Sequence, residues 1–580
     1  MEPFVNRPAL LLAILLVNVT SACSPQPADL LLTNARVYSL GWSEPGLDGA
    51  PALDAPYSAS EGWRPDAEAV AVRGGRIVFV GSAEEGEAYR GSATEVLDLD
   101  GATVVPGMVD SHTHVVELGA LLARVNLIDV ATEEEAVALV AERAAGLPEG
   151  TWIVGAGWDE GAWANRYPDM ELISERVPNH PVYMRGLHGF AGWGNRLAFE
   201  LAGITADTEA PTGGEIRKDA RGAPTGLLLN RAVPLLDDAI PAPTNEQLQE
   251  QILDGLREMA RSGFVAVHEA GAATATMAAF EVLEADGRLP LRVYSMLSAR
   301  DTSVLAAWEA RGPDRDTDSM LRTRSVKAFY DGALGSRGAR LLEDYTDTPG
   351  HRGLAGEGYG FDADWLKRMM VAGFQIAIHA IGDAGNRESL DFIEAVYQET
   401  PRARDNRNRI EHAQVVHPDD ISRFTELDLV ASMEPAHAVE DMPWAEERVG
   451  PDRIRSAYAW RTLRSAGARM TFNSDLPGSD WSVFYGMHAA ITRRNKSREP
   501  AGGWYPTQSL TAEEALRAYS TWAAYVAFSE DDTGVIEAGR WADLTVMDVD
   551  PFALASEDPG GILDGEIVAT IVAGRVVHQR

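Results

Sequence analysis

The chain has 580 residues, with 51 Lys and Arg against 87 Asp and Glu, a formal net charge of −36. That length carries a large core and more than one domain, and 45% hydrophobic with 24% charged residues is an ordinary globular composition. The acidic balance repels phosphate backbones and argues against a nucleic-acid partner.

Arg7 precedes the apolar run Ala9 to Val17, which is too short to span a bilayer and matches the apolar core of a signal peptide. Thr20-Ser-Ala-Cys23 follows, and Cys23 is the only cysteine in the chain. Residues 1–22 therefore read as an export signal. Cys23 resembles the lipid-modified cysteine of a bacterial lipoprotein, although Thr20 stands where such a box usually has Leu. The alternative is plain cleavage after Ala22. Both readings send the chain to the cell envelope or periplasm, and only the first ties it to a membrane. A lone cysteine rules out an internal disulfide.

Residues 23–104 read as short strands, Leu30 to Tyr38 and Ala69 to Gly81, with Gly74-Gly75 as a hairpin turn. Leu40 to Asp66 is a Gly-, Pro- and Ser-rich loop. Residues 531–580 are also strand-rich, in Asp543 to Asp548 and Ile567 to Val577. Both termini together are expected to form one small β-sandwich.

Residues 105–530 alternate apolar runs with helical patterns. Eight strands are predicted: Thr103–Asp110, Phe264–His268, Leu291–Met296, Ser325–Phe329, Gln375–His379, Arg409–His412, Val430–Glu434 and Met470–Asp475. Eight strands alternating with helices predict an α/β fold, a distorted (β/α)₈ TIM-type barrel. Thr244 to Ser262 reads as an amphipathic helix capped by Thr244 and ended at Gly263. Residues 115–261 are too long for a plain crossover and read as an insertion over the barrel mouth.

Catalytic groups of such a barrel stand where strands end. The first strand delivers His112 and His114, which share a face because residues i and i+2 do so on a strand. Later strands deliver Lys327, His379, His412 and Asp475. Four imidazoles and a carboxylate suit zinc, with Mn²⁺, Fe²⁺ or Ni²⁺ as alternatives. His268 and His437 also fall at predicted strand ends and are candidates to line the pocket. The insertion adds Trp158 and several further tryptophans that would build an aromatic wall or pack the insertion.

Val105-Pro-Gly-Met-Val-Asp-Ser-His-Thr-His114, Gly157-Trp-Asp159, Lys327 to Ser336, His379-Ala-Ile-Gly-Asp383, Arg409-Ile-Glu-His-Ala413 and Ser474-Asp475 together resemble the amidohydrolase superfamily. The nearer likeness is to its amidohydrolase-3 branch, the YtcJ-like and N-substituted formamide deformylase-like proteins. The resemblance runs over about residues 29–580. It implies a metal-dependent hydrolase of non-peptide carbon–nitrogen bonds in a small molecule. It also implies two divalent ions: His112, His114 and Asp475 on the inner one, His379 and His412 on the outer one. Lys327 would bridge them as a carboxylated lysine; unmodified beside a single ion is the other reading. Metal-activated hydroxide would attack, with Asp475 as general base and acid. His188 falls in a stretch resembling the branch's active-site surroundings and is a candidate catalytic residue. Trp158, Asp159, His268, Asp331 and His437 are candidate substrate-binding residues. An esterase or lactonase on the same site, and a non-catalytic binding lipoprotein on a hydrolase scaffold, are the rival readings. The oligomeric state is left open, a homo-oligomer included.

Overall fold

The computed structural model describes residues 25–158, 163, 167–187, 189–354 and 356–580. Its centre is an eight-stranded parallel sheet made of Met108–Thr113, Phe264–Ala272, Arg292–Ser298, Leu321–Phe329, Gln375–Ala380, Arg409–His412, Val430–Met433 and Arg469–Phe472, each neighbouring the next in chain order. The eighth strand returns to the first. Asp475 N donates to His112 O at 3.1 Å and His114 N to Leu476 O at 3.1 Å. Ser111 Oγ donates to Phe472 O at 2.7 Å. The sheet is thus a nearly closed (β/α) barrel, as the strand count predicts.

The first predicted strand is in fact two. Thr103–Pro106 belongs to a five-stranded sheet with Arg36–Val37, Leu544–Met547, Ile567–Val572 and Arg575–Gln579, and the barrel strand begins only at Met108. The break is at Gly107, whose N donates to Asp543 O at 2.8 Å. A Cβ there would lie 2.3 Å from a Val265 methyl, so only glycine lets the chain change sheets at this point. A four-stranded sheet of Arg76–Gly81, Ala69–Arg73, Leu30–Thr33 and Glu95–Asp98 shares an apolar core with the five-stranded one, including Leu32, Val70, Val104, Val546 and Ile571.

Between barrel strands one and two lies a six-stranded mixed sheet running from Val125 to Asn230, with its own core around Trp158, Trp163, Trp193 and Leu227. The chain leaves the barrel through the helix Val115–Leu122 and returns through Asn245–Arg261. Thr244 and Gln247 form a capping box at the start of the second helix, and Gly263 (φ 93°) follows its end. The two helices touch backbone to backbone: a Cβ on Gly119 would lie 1.8 Å from Gln251 O, and one on Gly255 2.3 Å from Val115 O.

Candidate active site

The metal-ligand types predicted from strand ends gather at the C-terminal end of the barrel. His112 is on the first strand, and His114 is the N-cap residue of the helix that follows it. Lys327 lies near the end of the fourth strand, His379 on the fifth and His412 at the end of the sixth. Asp475 follows the eighth strand, which ends at Phe472 rather than running on as expected. Asp475 turns inward because its backbone is left-handed (φ 53°). His412 (φ 72°) and Ala413 (φ 41°) are left-handed as well. In an extended strand Glu411 and His412 would face opposite ways; the left-handed step lets both reach the site. Such backbone is costly for residues with side chains and gathers at functional sites.

Asp475 Oδ1 stands 3.5 Å from His112 Nε2 and 3.3 Å from His114 Nε2. Lys327 Nζ lies 3.1 Å from the same His112 Nε2. The His379 and His412 ring centres are 4.4 Å apart, and those of His112 and His412 are 5.3 Å apart. Three sets of possible ligand atoms lie within 4.8 Å of one another among the described residues: His112, His114 and Asp475; His112, His412 and Glu434; His412, His437 and Asp475. His379 joins none of these sets.

A buried carboxylate stands near an outward nitrogen of three of the imidazoles, but only His112 makes a hydrogen bond there; His412 Nδ1 and His379 Nε2 have no hydrogen-bond partner among the described residues. His112 Nδ1 is 2.6 Å from Glu411 Oε2, His412 Nδ1 is 3.1 Å from Glu434 Oε2, and His379 Nε2 is 3.7 Å from Asp331 Oδ1. At His112 this leaves Nε2 toward Lys327 and Asp475, the carboxylate–histidine arrangement that fixes tautomer and orientation at metal sites. The sequence assigns no role to Glu411 or Glu434; Glu411 directly precedes the ligand candidate His412, which is a signal for it, whereas Glu434 only ends a predicted strand.

Burial and then the Lys327 charge push His112 down to about 4, so its imidazole is neutral and able to ligate. Burial also holds His379 well below the usual histidine value. Burial would raise Asp475, yet its hydrogen bond with His114 and the neighbouring imidazoles hold it well below the ordinary carboxylate value. Lys327 is 1% exposed, and burial pushes its ammonium down to about 8. No carboxylate of the described residues lies within 4 Å of its Nζ. A buried cation without a close carboxylate is costly, even with His112 Nε2 at 3.1 Å, and a metal-bridging carboxylate form would remove that cost. The residues present therefore fit divalent metal: neutral imidazole nitrogens, an ionised carboxylate and a buried lysine without a close carboxylate converge on one place.

The side chains of His114 and Asp475 are 25% and 22% exposed while that of His112 is 1% exposed, so the site opens to solvent on the His114 and Asp475 side. His437 lies on this side, with its Nδ1 3.5 Å from Glu434 Oε2.

Other expected pocket residues are placed differently. Trp158 is fully buried in the insertion core, its Nε1 donates to Met184 O at 3.1 Å, and it packs against Trp163 and Trp193. It holds the insertion together and does not line a pocket. Asp331 is buried too. It accepts from the backbone N–H groups of Ile381, Gly382 and Arg340 at 2.8 to 2.9 Å, so it anchors the loop after the fifth strand and backs His379 instead of facing a substrate. His268 is not at a strand end, because its strand continues to Ala272. It is 1% exposed and meets Arg409 Nη1 at 3.2 Å, inside the barrel. Asp159, His188 and Cys23 lie outside the described residues, as does the expected signal segment.

A family model described as the amidohydrolase family matches residues 95–578. The putative amidohydrolase YtcJ of Bacillus subtilis is 29% identical over 88% of this chain and 96% of its own length. The N-substituted formamide deformylase of Arthrobacter pascens is 28% identical over 96% of this chain and 99% of its own. Among solved structures, a metal-dependent hydrolase from Pyrococcus furiosus superposes with a TM-score of 0.70 at 26% identity, covering 90% of this chain and 99% of that one.

Proposed function

The chain belongs to the amidohydrolase family, and from that membership we propose that it cleaves an amide-type, non-peptide carbon–nitrogen bond of a small molecule with Asp475 as its general base. The observation that carries this reading is the convergence of His112, His114, Lys327 and Asp475 within 3.5 Å steps at the barrel mouth.

His112, His114 and Asp475 would hold an inner divalent ion, and His379 and His412 an outer one, zinc being the ion best matched to imidazole and carboxylate donors. Bound there, such an ion supplies Lewis acidity and brings the ionisation of water near neutral pH. Lys327 would bridge the two as a carbamate. Its neutral amine adds to carbon dioxide, the N–C bond forms, and one N–H proton leaves to solvent. Asp475 has no Arg or Lys partner among the described residues, so its carboxylate is available to accept the proton of the attacking water and return it to the departing nitrogen. His437, on the open side of the site, would donate to the substrate carbonyl oxygen, an oxyanion-stabilising role. The formamide deformylase relative makes N-substituted formamides the first substrates to try.

Elemental analysis of the purified protein tests the metal reading. About two equivalents of zinc or manganese per chain are expected, and none after reconstitution would overturn it. We also read residues 1–22 as an export signal and Cys23 as a lipid anchor, which the apolar run ending six residues before a lone cysteine supports. The wild type is then expected in the membrane fraction and Cys23→Ala in the soluble one. A soluble wild type would leave cleavage after Ala22.

A further inference from the structure

The deepest polar contacts of the site belong to residues that bind neither substrate nor metal. Arg409 and Glu411 are both 0% exposed and form a bidentate pair, Nε to Oε1 at 2.5 Å and Nη2 to Oε2 at 3.0 Å. Arg409 Nη2 also donates to Ser111 O and to Ser432 Oγ, each at 2.7 Å. One guanidinium therefore ties the first, sixth and seventh barrel strands together beneath the site. Glu411 Oε2 faces His112 Nδ1 at 2.6 Å, the shortest imidazole–carboxylate distance in the site. The ring is enclosed, so its tautomer is set by that contact together with Lys327 Nζ, 3.1 Å from Nε2, and not by solvent.

We infer that Glu411, pinned by Arg409, is the positioning residue for His112: it accepts the Nδ1 proton and so presents a bare, more basic Nε2 to the metal. The pair acts on metal retention through orientation and basicity of one ligand, which a purely structural ion pair would not do. Ser111 strengthens the case. It is adjacent to His112, and its carbonyl is fixed by the same guanidinium that holds Glu411, so backbone and ring of the ligand are referred to one group. This inference rests on the metal reading above.

The first test uses the unaltered full-length protein without metal, labelled with ¹⁵N at histidine, with the His112 signal assigned by its loss in His112→Asn. Protonated Nδ1 and bare Nε2 are expected; the opposite tautomer overturns the inference. The second measures zinc affinity by chelator competition in Glu411→Gln and in the double variant Arg409→Met with Glu411→Leu, which removes both buried charges together. Loss of an outer partner of this kind weakens metal binding by about 10- to 100-fold, and that loss is expected in whichever variant folds, read beside the unfolding temperature of the metal-free protein. Affinity within twofold of wild type in a folded variant overturns the inference. A wild type that binds no zinc would instead overturn the metal reading.

Discussion

In the proposed function Asp475 would carry two duties, ligand and base, and substitution separates them. Asp475→Asn keeps the shape and the left-handed backbone, which asparagine tolerates, but removes the base. Turnover is expected to fall at least about a thousandfold, near the middle of the usual contribution of a general base, while the urea unfolding midpoint shifts little. Steady-state kinetics with the best amide substrate checks this, and a rate near wild type would mean another group takes the proton. Lys327→Met gives a second residue-level expectation. It removes a buried cation with no close carboxylate, so the metal-free protein should be as stable or more stable, while metal content should drop by about one equivalent per chain if Lys327 bridges two ions. The ligand types were legible in the sequence because histidines, a lysine and an aspartate recur at the ends of apolar runs. Their partners were not, for a local reason. Glu411 and His412 are neighbours, and strand alternation assigns them to opposite faces; the positive φ at His412 that brings both inward leaves no mark in residue type. The same is true of Asp475, which the expected straight strand would have aimed by alternation alone.

At the scale of elements, the site depends on a close helix contact. Val115–Leu122 starts from His114, and Glu269 of the second barrel strand accepts from Val115 N at 2.7 Å, tying its carboxyl group to the first N–H of the helix. The helix is held at its other face by Gly119 against Gln251. Gly119→Ala places a methyl on backbone that side-chain movement cannot clear, and overpacking of this kind costs about 1–3 kcal/mol. The helix should shift away from Asn245–Arg261 and take His114 with it. Gly119→Ala is therefore expected to lower both the unfolding midpoint and zinc affinity, whereas Gly502→Ala, at a glycine with open space around it and no positive φ, should leave the affinity unchanged. Equal metal affinity in wild type and Gly119→Ala would disconnect the helix from the site. The amphipathic pattern made Asn245–Arg261 readable from Thr244 to Gly263. The partner face was unreadable, since a glycine chosen for backbone contact looks the same as one chosen for a turn. Trp158 shows the converse: aromatic residues in an insertion read equally well as a wall or a core, and only packing with Trp163 and Trp193 decides for the core.

Across the whole molecule, the two ends of the barrel do different work. The open C-terminal end holds the chemistry, and the N-terminal end is closed by strands from the far terminus. Leu544–Met547 pairs with Thr103–Pro106, Met108 N donates to Thr545 Oγ1 at 3.0 Å, and Thr545 Oγ1 donates to Gly263 O at 2.7 Å. Asp543 is the hub of this closure. It is 5% exposed, takes Arg292 Nε at 2.6 Å and Ala573 N at 2.7 Å, and its carbonyl receives Gly107 N where the chain passes from one sheet to the other. Breaking a buried pair leaves an uncompensated charge and costs roughly 3–5 kcal/mol. Asp543→Asn keeps one acceptor oxygen, so about 3 kcal/mol is expected, read as a lower urea midpoint. Because a full strand length separates Asp543 from the histidines, zinc affinity and the rate per folded molecule should stay at wild-type values. A variant that kept its stability but lost metal would mean that the closed end tunes the site, and the division of labour between the two ends of the barrel would fail.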